Sequence, residues 1–314
     1  MSASERADAL AHRLVSRRYL PPPRTWVRSA VEFQPGLRRV RSRAEADEAL
    51  TLALSEMMTR APTEGELQLF IKDRDADGMP IELQIRRNIT PRAGALSVHV
   101  CRVTSLVRIN LTIIQLTSLP DCIGDLTALT HLNLCCNRLT TLPDSIGRLT
   151  KLEDLHVGWN FLATLPDSIG RLTALEYFNV ESNRLTALTP AVGRLTALKQ
   201  FHLGFNQLTT LPDEISGLPN LTHLCVGNNL LTALPYIREG DLTRLKCLTA
   251  AGNRLTASSL SGLAALQVLN LNHNQLTALP DSMAPALEHV DIRYNPISED
   301  AARALLPHVV RLVV

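Results

Sequence analysis

Two histidines and two cysteines in the middle of the chain are residue types that could bind a metal ion. His202, His223, Cys225 and Cys247 combine imidazole and thiolate groups, which are ligands that zinc prefers. If their segments are neighbouring parallel strands, the outer α-carbons lie about 12 Å apart, because strands are spaced at about 4.8 Å. That separation is large for one tetrahedral ion, and no close C-x-x-C pair is present. We therefore expect hydrogen-bonding histidines and reduced cysteines rather than a metal site.

A second group of possible ligands is the loop 73–78, which has aspartates at alternate positions. Alternating carboxylates can converge on one calcium ion. The rest of a calcium loop is missing, because Gln84 stands where a bidentate glutamate is needed and Pro80 interrupts the segment. We expect a hairpin turn here.

Aromatic and arginine side chains are concentrated in the middle of the chain, although only 4% of all residues are aromatic. Trp, Tyr and Arg dominate binding energy at protein interfaces. The alternative is that Phe161 and Phe205 pack locally against the body of the protein. With nearby polar residues, these side chains are our candidate partner-binding set, which is Arg138, Asp154, His156, Trp159, Phe161, Tyr177, Glu181, Arg184, His202 and Phe205.

Cysteine and histidine could also serve as nucleophile and base. Catalysis by such a pair needs an oriented base and a pocket that excludes water. The open ribbon predicted below offers no such pocket, and each glycine of the recurring G-R-L segments belongs to a repeat rather than to a phosphate-binding loop. We therefore expect no enzymatic activity, no catalytic residue and no cofactor.

The segments that carry these side chains are copies of one pattern, L-x-x-L-x-L-x-x-N-x-L-x-x-L-P. The copies follow one another at 23 residues through the sixth and then at 24, 21 and 21 residues. Self-similarity at a period of about 20 to 30 residues is typical of solenoid proteins. Nine copies are present, and they begin at Leu106, Leu129, Leu152, Leu175, Leu198, Leu221, Leu245, Leu266 and Leu287.

Each half of the repeat predicts a different structure. Residues such as Leu132-Asn133-Leu134 alternate apolar and polar side chains, as in a short strand with one buried face. The second half, L-P-D-S-I-G-R-L, spaces apolar residues three or four apart after a proline, which predicts a short helical or irregular return. The asparagine at position nine carries a donor and an acceptor for buried backbone groups, so stacked copies would form a ladder.

The repeat frame also assigns the candidate residues to surfaces. We expect positions three, five and seven to face the concave side and positions eight and ten to lie along one rim. Asp154 and Tyr177 occupy position three, His156 and His202 position five, and Glu181 position seven. The rim positions hold Arg138, Trp159, Phe161, Arg184 and Phe205.

This pattern resembles the 23-residue leucine-rich repeats of Ras-pathway scaffolds, plant Ras-group-related repeat proteins and bacterial type III effectors. The resemblance covers residues 106–297. It implies an α/β solenoid, a horseshoe with a parallel concave β-ribbon and short helical or irregular convex segments. Such proteins mostly bind proteins, so it implies a scaffold or adaptor. Because some effectors add a ubiquitin-ligase domain, the alternative is the substrate-recognition part of a ligase or other enzyme whose catalytic domain is not in this chain.

Outside the repeats, we predict an arginine-rich helix and linker over 1–43, an α+β cap over 44–105 and a C-terminal cap over 298–314. The cap should contain a helix opened by a capping box at Ser42, and antiparallel strands in the runs LQLFIK, IELQIR and LSVHVCRV. Residues 1–43 hold ten arginines and three acids. This arm could be a targeting signal or contact a polyanion, but we favour a solvated arm.

Near the other end, Ser298 should cap a short helix, and the last residues match a tenth strand-forming segment. No apolar run reaches the roughly 18 residues of a membrane span. Six cysteines without framework spacing and the lack of a hydrophobic signal segment indicate reduced thiols in a cytoplasm, with delivery into a host cell left open. The concave positions are nearly neutral, which disfavours nucleic acid, and we expect a monomer that binds a protein.

Overall fold

The computed structural model describes residues 39–58, 62, 67, 70–85, 94–235, 237–238, 240–256, 265–279, 284–305 and 309–313. The chain divides into two units, Met1–Leu37 and Arg38–Val314, and the description below concerns the second. The arginine-rich helix and linker predicted over residues 1–43 lie almost entirely outside the described residues.

One sheet of twelve strands, in sequence order, runs through this unit. β1 (Ile71–Arg74) and β2 (Pro80–Gln84) form an antiparallel hairpin, and every later strand is parallel to its predecessor, β3 being parallel to β2. The parallel strands are β3 (Arg108–Asn110), β4 (His131–Asn133), β5 (Asp154–His156), β6 (Tyr177–Asn179), β7 (Gln200–His202), β8 (His223–Cys225), β9 (Cys247–Thr249), β10 (Val268–Asn270), β11 (His289–Asp291) and β12 (Arg311–Val313).

The register of the sheet follows the repeat, because residues at the same repeat position lie side by side. Tyr177, for example, is paired with Asp154 on one side and with Gln200 on the other. β12 pairs with β11, which confirms the additional strand predicted after the ninth repeat. A side chain on one strand therefore has lateral neighbours that can be read from the sequence.

The return halves of the repeats contain 3₁₀ helices, as the apolar spacing predicted. A proline precedes most of them, and an aspartate opens the first turn, where a negative charge is favourable beside unpaired N–H groups. They comprise Asp121–Asp125, Asp144–Arg148, Asp167–Arg171, Pro190–Arg194 and Asp213–Ile215. The return segments touch closely, because a Cβ on Gly147 would overlap the carbonyl oxygen of Ser168 in the next coil.

The leucines of the repeat form one continuous core between the sheet and the returns. Leu152, Leu155 and Leu162 are fully buried, and the equivalent residues of the other repeats are similarly enclosed. At position four, Phe178 and Phe201 replace leucine, and their rings stack with centroids 5.3 Å apart. Because a single coil leaves its leucine face exposed, this burial depends on neighbouring coils.

The predicted asparagine ladder is confirmed. Asn183 is buried, its Oδ1 accepts from the Leu162 amide at 2.9 Å, and its Nδ2 donates to the carbonyls of Val157, Val180 and Glu181 at 3.0, 2.9 and 3.2 Å. The side chain thus joins two coils by satisfying backbone groups that water cannot reach. The ladder comprises Asn137, Asn160, Asn183, Asn206, Asn229, Asn253, Asn274 and Asn295.

α1 (Arg43–Met57) begins where the sequence predicted. The Ser42 hydroxyl accepts from the Glu45 amide, while the Glu45 carboxylate accepts from the Arg41 amide at 2.6 Å. One apolar face of the helix is buried, including Leu50 and Leu54. Capping and amphipathic spacing therefore act together, since the cap fixes the start of the helix and the apolar stripe fixes its orientation.

The hairpin turn predicted over residues 73–78 is confirmed. The Gly78 amide donates to the Asp75 carbonyl at 3.0 Å, and Gly78 has φ +76°, a conformation that glycine adopts without strain. The Asp75 carboxylate accepts from the amides of Asp77 and Met79. This carboxylate is thus used to hold its own loop.

Two of the predicted cap strands differ from the structure. The first run becomes extended only at Ile71, since Leu67 and Phe70 are helical. The third run contains a 3₁₀ helix, Val98–Arg102, instead of a strand. The hairpin joins the repeats directly, since β3 pairs with β2 and no third antiparallel strand lies between them.

The expectation that all six cysteines are reduced is wrong. Cys101, in the 3₁₀ helix of the cap, forms a disulfide with Cys122 of the first return segment, with α-carbons 5.7 Å apart, and the other four cysteines are not part of a disulfide. At the far end, α2 (Glu299–Leu305) is capped by Ser298, as predicted. None of the helices in the described part of the chain has the length and apolar character needed to cross a bilayer.

Candidate functional site

Five of the candidate residues lie together on one face of β5, β6 and β7 and the turn after β6. In these short strands the middle residue is buried in the leucine core, whereas positions three and five face away from it. Asp154, His156, Tyr177 and His202 are half-buried, and so is Glu181, which follows β6. The strand alternation thus separates residues that build the core from residues that do not.

Three rings form a row across these strands. The His156 and Tyr177 rings are stacked with centroids 4.6 Å apart, and the Tyr177 and His202 centroids are 5.1 Å apart. The row arises because Tyr177, at position three, is the diagonal neighbour of position five on both adjacent strands, within reach of a ring. We call His156, Tyr177 and His202 the ring row.

A carboxylate lies close to the imidazole at one end of the ring row, and burial lowers the pKa of the imidazole at the other end. His156 Nε2 lies 2.7 Å from Asp154 Oδ1. Burial, assisted by the nearby His156 and His223, lowers the pKa of His202 to about 4. Desolvation disfavours the charged imidazolium, so His202 is neutral near pH 7. Among the described residues nothing hydrogen-bonds to its buried Nε2 atom.

Glu181 lies beside the ring row in a region of small residues. Its Cγ and Cδ atoms are 3.7 and 3.9 Å from the point where a Cβ on Gly204 would lie. Gly158 precedes it at the same repeat position on the other side, so position seven carries no side chain in either adjacent coil.

The concave positions of the central repeats carry no lysine or arginine. From β4 to β10, positions three, five and seven contain the carboxylates of Asp154 and Glu181 as their acidic groups, beside several histidines. The arginines at the two ends are ion-paired, since Arg108 contacts Glu82 at 2.9 Å and Arg293 contacts Asp291 at 2.7 Å. The central face is thus mildly acidic when its histidines are neutral.

Position eight, on the rim, has a left-handed backbone throughout the array, with φ +53° at Trp159 and +54° at Phe205. Bulky side chains are uncommon there because their Cβ approaches the following carbonyl oxygen. Phe205 is 43% exposed, but Trp159 is only 9% exposed. Little of the Trp159 side chain is therefore accessible to a partner, whereas Phe205 remains exposed.

Two of the candidate residues at position ten contact each other on the rim. The guanidinium carbon of Arg184 lies 4.4 Å from the centroid of the Phe161 ring, which is half-buried. This cation–π contact joins two of the candidate residues on the rim, where Arg184 and Arg138 are exposed.

One exposed aromatic pair was missed at the sequence level. The His273 and Tyr294 rings are 4.1 Å apart, and Tyr294 is 69% exposed. Both residues are at position eight, in the eighth and ninth repeats, so the signal was present in the repeat frame. The pair lies outside the repeats in which aromatic residues are most concentrated.

The histidines and cysteines considered for zinc are arranged as the repeat frame implies. His223 lies beside Cys247 and His202 beside Cys225 in the sheet register. Burial, followed by the nearby Cys247, raises the pKa of the Cys225 thiol to about 11, so that it stays protonated at neutral pH. In the described ranges, no three side chains of histidine, cysteine, aspartate or glutamate lie close enough to hold a metal ion.

Comparison with protein families identifies the repeats. Residues 92–208 match the family model of a leucine-rich repeat region, residues 196–239 match that of two leucine-rich repeat copies, and residues 265–285 match that of a single leucine-rich repeat. No curated protein matches the chain by sequence.

Solved structures with the same architecture come from distant sources. The leucine-rich effector protein YopM of Yersinia pestis is 26% identical, with 79% of this chain and 66% of that chain covered and a TM-score of 0.62. Toll, in the Drosophila Toll–Spätzle complex, is 26% identical, with 67% and 30% covered and a TM-score of 0.57. A plant ice-binding protein, 21% identical over 88% and 97% with a TM-score of 0.68, shares the fold. With its leucine core, asparagine ladder and open parallel sheet, this chain is a leucine-rich repeat protein.

Proposed function

We propose that the chain is a protein-binding scaffold whose partner contacts the concave face of β5 to β7 and the adjacent rim. The observation that carries the proposal is the ring row, since His156, Tyr177 and His202 group three rings on the side of the sheet opposite to the leucine core. Stacked rings offer rigid contact area, and tyrosine is among the residues that contribute most to binding. Phe205 extends this area onto the rim.

The relatives support a binding function. Toll has been solved in complex with Spätzle, and YopM is an effector protein. We extend the effector role to this chain as part of the proposal. The Cys101–Cys122 disulfide favours an exported protein over one that stays in the cytoplasm, because disulfides persist mainly in oxidising compartments.

The test is affinity capture with the immobilised full chain from a lysate, comparing Tyr177→Ala with wild type. Thr173→Ala is the control, since Thr173 is exposed and lies at the end of the return segment that precedes β6. The affinity of a captured protein should fall by about 2–4 kcal/mol in Tyr177→Ala, the range of an interface hot spot, and stay unchanged in the control.

Arg184→Ala and Arg171→Ala provide a second pair of variants, since both arginines are exposed but Arg184 lies on the rim of the fourth repeat and Arg171 in the return segment of the third. Circular dichroism verifies that each variant is folded. If every captured protein binds Tyr177→Ala and Arg184→Ala as tightly as wild type, the proposed face is not the binding site.

A further inference from the structure

The rim of the solenoid carries charge of one sign. Positions eight, ten, twelve and thirteen contain no aspartate or glutamate in the first eight repeats, and the lysines and arginines there are three arginines at position ten. All three are exposed, and in the part of the chain that the structure describes none of them forms an ion pair. We call this set the arginine rim, and it comprises Arg138, Arg184 and Arg254.

Backbone hydrogen bonds hold the arginine rim in one column. The amide at position ten donates to the carbonyl at position eleven of the preceding coil, and the bonds are Arg138 to Leu116 at 2.7 Å, Arg184 to Leu162 at 2.9 Å and Arg254 to Leu231 at 2.8 Å. Coils bonded in this way lie about 4.8 Å apart, which separates the first two arginines by about 10 Å and the last two by about 14 Å at the backbone. The three charges therefore have a fixed spacing.

Apolar side chains lie between these charges. Phe161 and Leu230, also at position ten, are half-buried, and Phe205 at position eight is 43% exposed. The guanidinium carbon of Arg184 is 4.4 Å from the centroid of the Phe161 ring. A cation–π contact positions a guanidinium without using its hydrogen-bond donors, as an ion pair would. Arg184 is thus held in place before a carboxylate binds, which lowers the entropy lost on binding.

Spacing and exposed area distinguish between anionic partners. A DNA strand has one phosphate per about 3.4 Å, so three arginines set more than twice as far apart would neutralise few of them and bind weakly. Bases also need exposed rings on which to stack, but Trp159 is only 9% exposed and Phe161 contacts Arg184. An acidic protein segment, by contrast, can carry carboxylates at wide intervals with apolar side chains between them.

We infer that the arginine rim binds an extended acidic segment of the partner protein. This inference rests on the proposed function, because it names the chemistry of the partner at the rim of the same surface. Carboxylates of the segment accept from the three guanidinium groups, and its apolar side chains contact Phe205 and Leu230. An extended chain advances about 3.3 Å per residue, so a segment of about eight residues spans the column. Asp154 and Glu181 repel it from the concave face and keep it on the rim.

The test is a selection of random twelve-residue peptides displayed on phage against the immobilised full chain. Aspartate or glutamate should be enriched at positions three to five residues apart, which match the spacing of the arginines. The Kd of the tightest peptide is measured by fluorescence anisotropy. Replacing one enriched carboxylate with its amide should raise the Kd at least about threefold, the effect of losing an exposed ion pair.

Two triple variants with the same change of net charge accompany this measurement. The rim variant combines Arg138→Ala, Arg184→Ala and Arg254→Ala. The control variant combines Arg148→Ala, Arg171→Ala and Arg194→Ala, which are exposed arginines of the return segments. The rim variant should raise the Kd at least about twentyfold, because three ion pairs are lost, and the control should raise it less than about twofold. Circular dichroism and urea titration establish that both variants are folded.

The outcomes separate this inference from the proposed function. A captured protein that loses affinity in Tyr177→Ala but binds the rim variant as tightly as wild type would overturn the inference and leave the proposed function standing. Captured proteins and peptides that are indifferent to both would overturn both. Equal losses in the rim and control variants would reveal a general attraction between opposite net charges and overturn the inference.

Two further results would count against an acidic segment. One is a selection that enriches no acidic residue. The other is a twelve-nucleotide single-stranded RNA that binds more tightly than the selected peptide and loses its affinity in the rim variant, since the arginine rim would then recognise phosphates.

Discussion

Asn183→Ala removes one side chain from the middle of the asparagine ladder, and the structure specifies which backbone groups lose a hydrogen bond. The Leu162 amide loses its acceptor, which is Asn183 Oδ1 at 2.9 Å. The three carbonyls that Asn183 served keep another donor each, since Asn160 also donates to Val157, Asn206 to Val180, and the Trp159 amide to Glu181. The substitution therefore leaves one buried N–H group without a partner and weakens three acceptors.

These losses set the expected magnitude. A buried donor left unpaired costs about 1–3 kcal/mol, and each of the other lost hydrogen bonds has a net value of about 0.5–1.5 kcal/mol. Allowing for relaxation, Asn183→Ala should lower the free energy of unfolding by about 3–5 kcal/mol in urea titration. Asn295→Ala should cost less, because its side chain is only partly buried at the end of the array.

Hydrogen exchange provides a local assay that does not depend on two-state unfolding. In Asn183→Ala the Leu162 amide should exchange at least tenfold faster relative to the Leu139 amide, which is held in the same way by Asn160 at 3.0 Å. Asn183→Asp adds a sharper comparison, since it keeps the acceptor but sets a carboxylate against carbonyl oxygens. It should be less stable than Asn183→Ala at pH 7 and recover as the pH falls and the carboxylate is protonated.

The reasoning would be refuted if Asn183→Ala cost less than about 1 kcal/mol, the value of a single exposed hydrogen bond. It would also fail if the Leu162 and Leu139 amides kept their relative exchange rates. Either result would mean that leucine burial alone fixes the stacking of the coils and that the ladder contributes little.

Three further predictions concern packing, pH and backbone conformation. Gly147→Ala should cost at least about 2 kcal/mol in urea titration, because the new Cβ would overlap the Ser168 carbonyl oxygen, whereas Gly217→Ala, with its nearest atom at 3.5 Å, should change stability by less than about 0.5 kcal/mol. The pKa of His202 is lowered from 6.5 to about 4 in the folded chain, so the unfolded chain binds this proton at a higher pH than the folded chain does. The folded chain is therefore fully stable with respect to this group above pH 6.5 and loses stability as the pH falls towards 4. Wild type should lose up to about 3 kcal/mol through this group, and His202→Gln should lose less between pH 7 and pH 4. Phe205→Asn should be more stable than Phe205→Ala by about 1 kcal/mol in thermal unfolding, because its φ of +54° suits asparagine better than alanine.

Each of these has a clear contrary result. Equal unfolding free energies for the two glycine variants would show that the return segments separate easily. An unchanged pH slope in His202→Gln would mean that the imidazole is solvated in the folded chain. Alanine matching asparagine at position 205 would show that the left-handed turn carries no strain.

The sequence by itself determined the solenoid, the leucine core, the asparagine ladder and the strand register. These features repeat with a nearly constant period, and each coil contacts only its neighbours, so one local pattern propagates along the chain. The residues of the concave face followed from the same frame, because strand alternation fixes which side chains leave the core. Asp154, Tyr177 and His202 could therefore be assigned to one surface from their positions alone.

The tertiary structure alone decided the burial, the pairing and the pKa of individual side chains. The burial of Trp159, the disulfide between Cys101 and Cys122, and the low pKa of His202 depend on atoms brought together from different coils. The 3₁₀ helix at Val98–Arg102 is likewise visible only in the structure, because the sequence of this run alternates as a strand would. A repeat frame specifies the direction in which a side chain points, whereas burial, desolvation and pairing depend on which non-repeating neighbours fill the space around it.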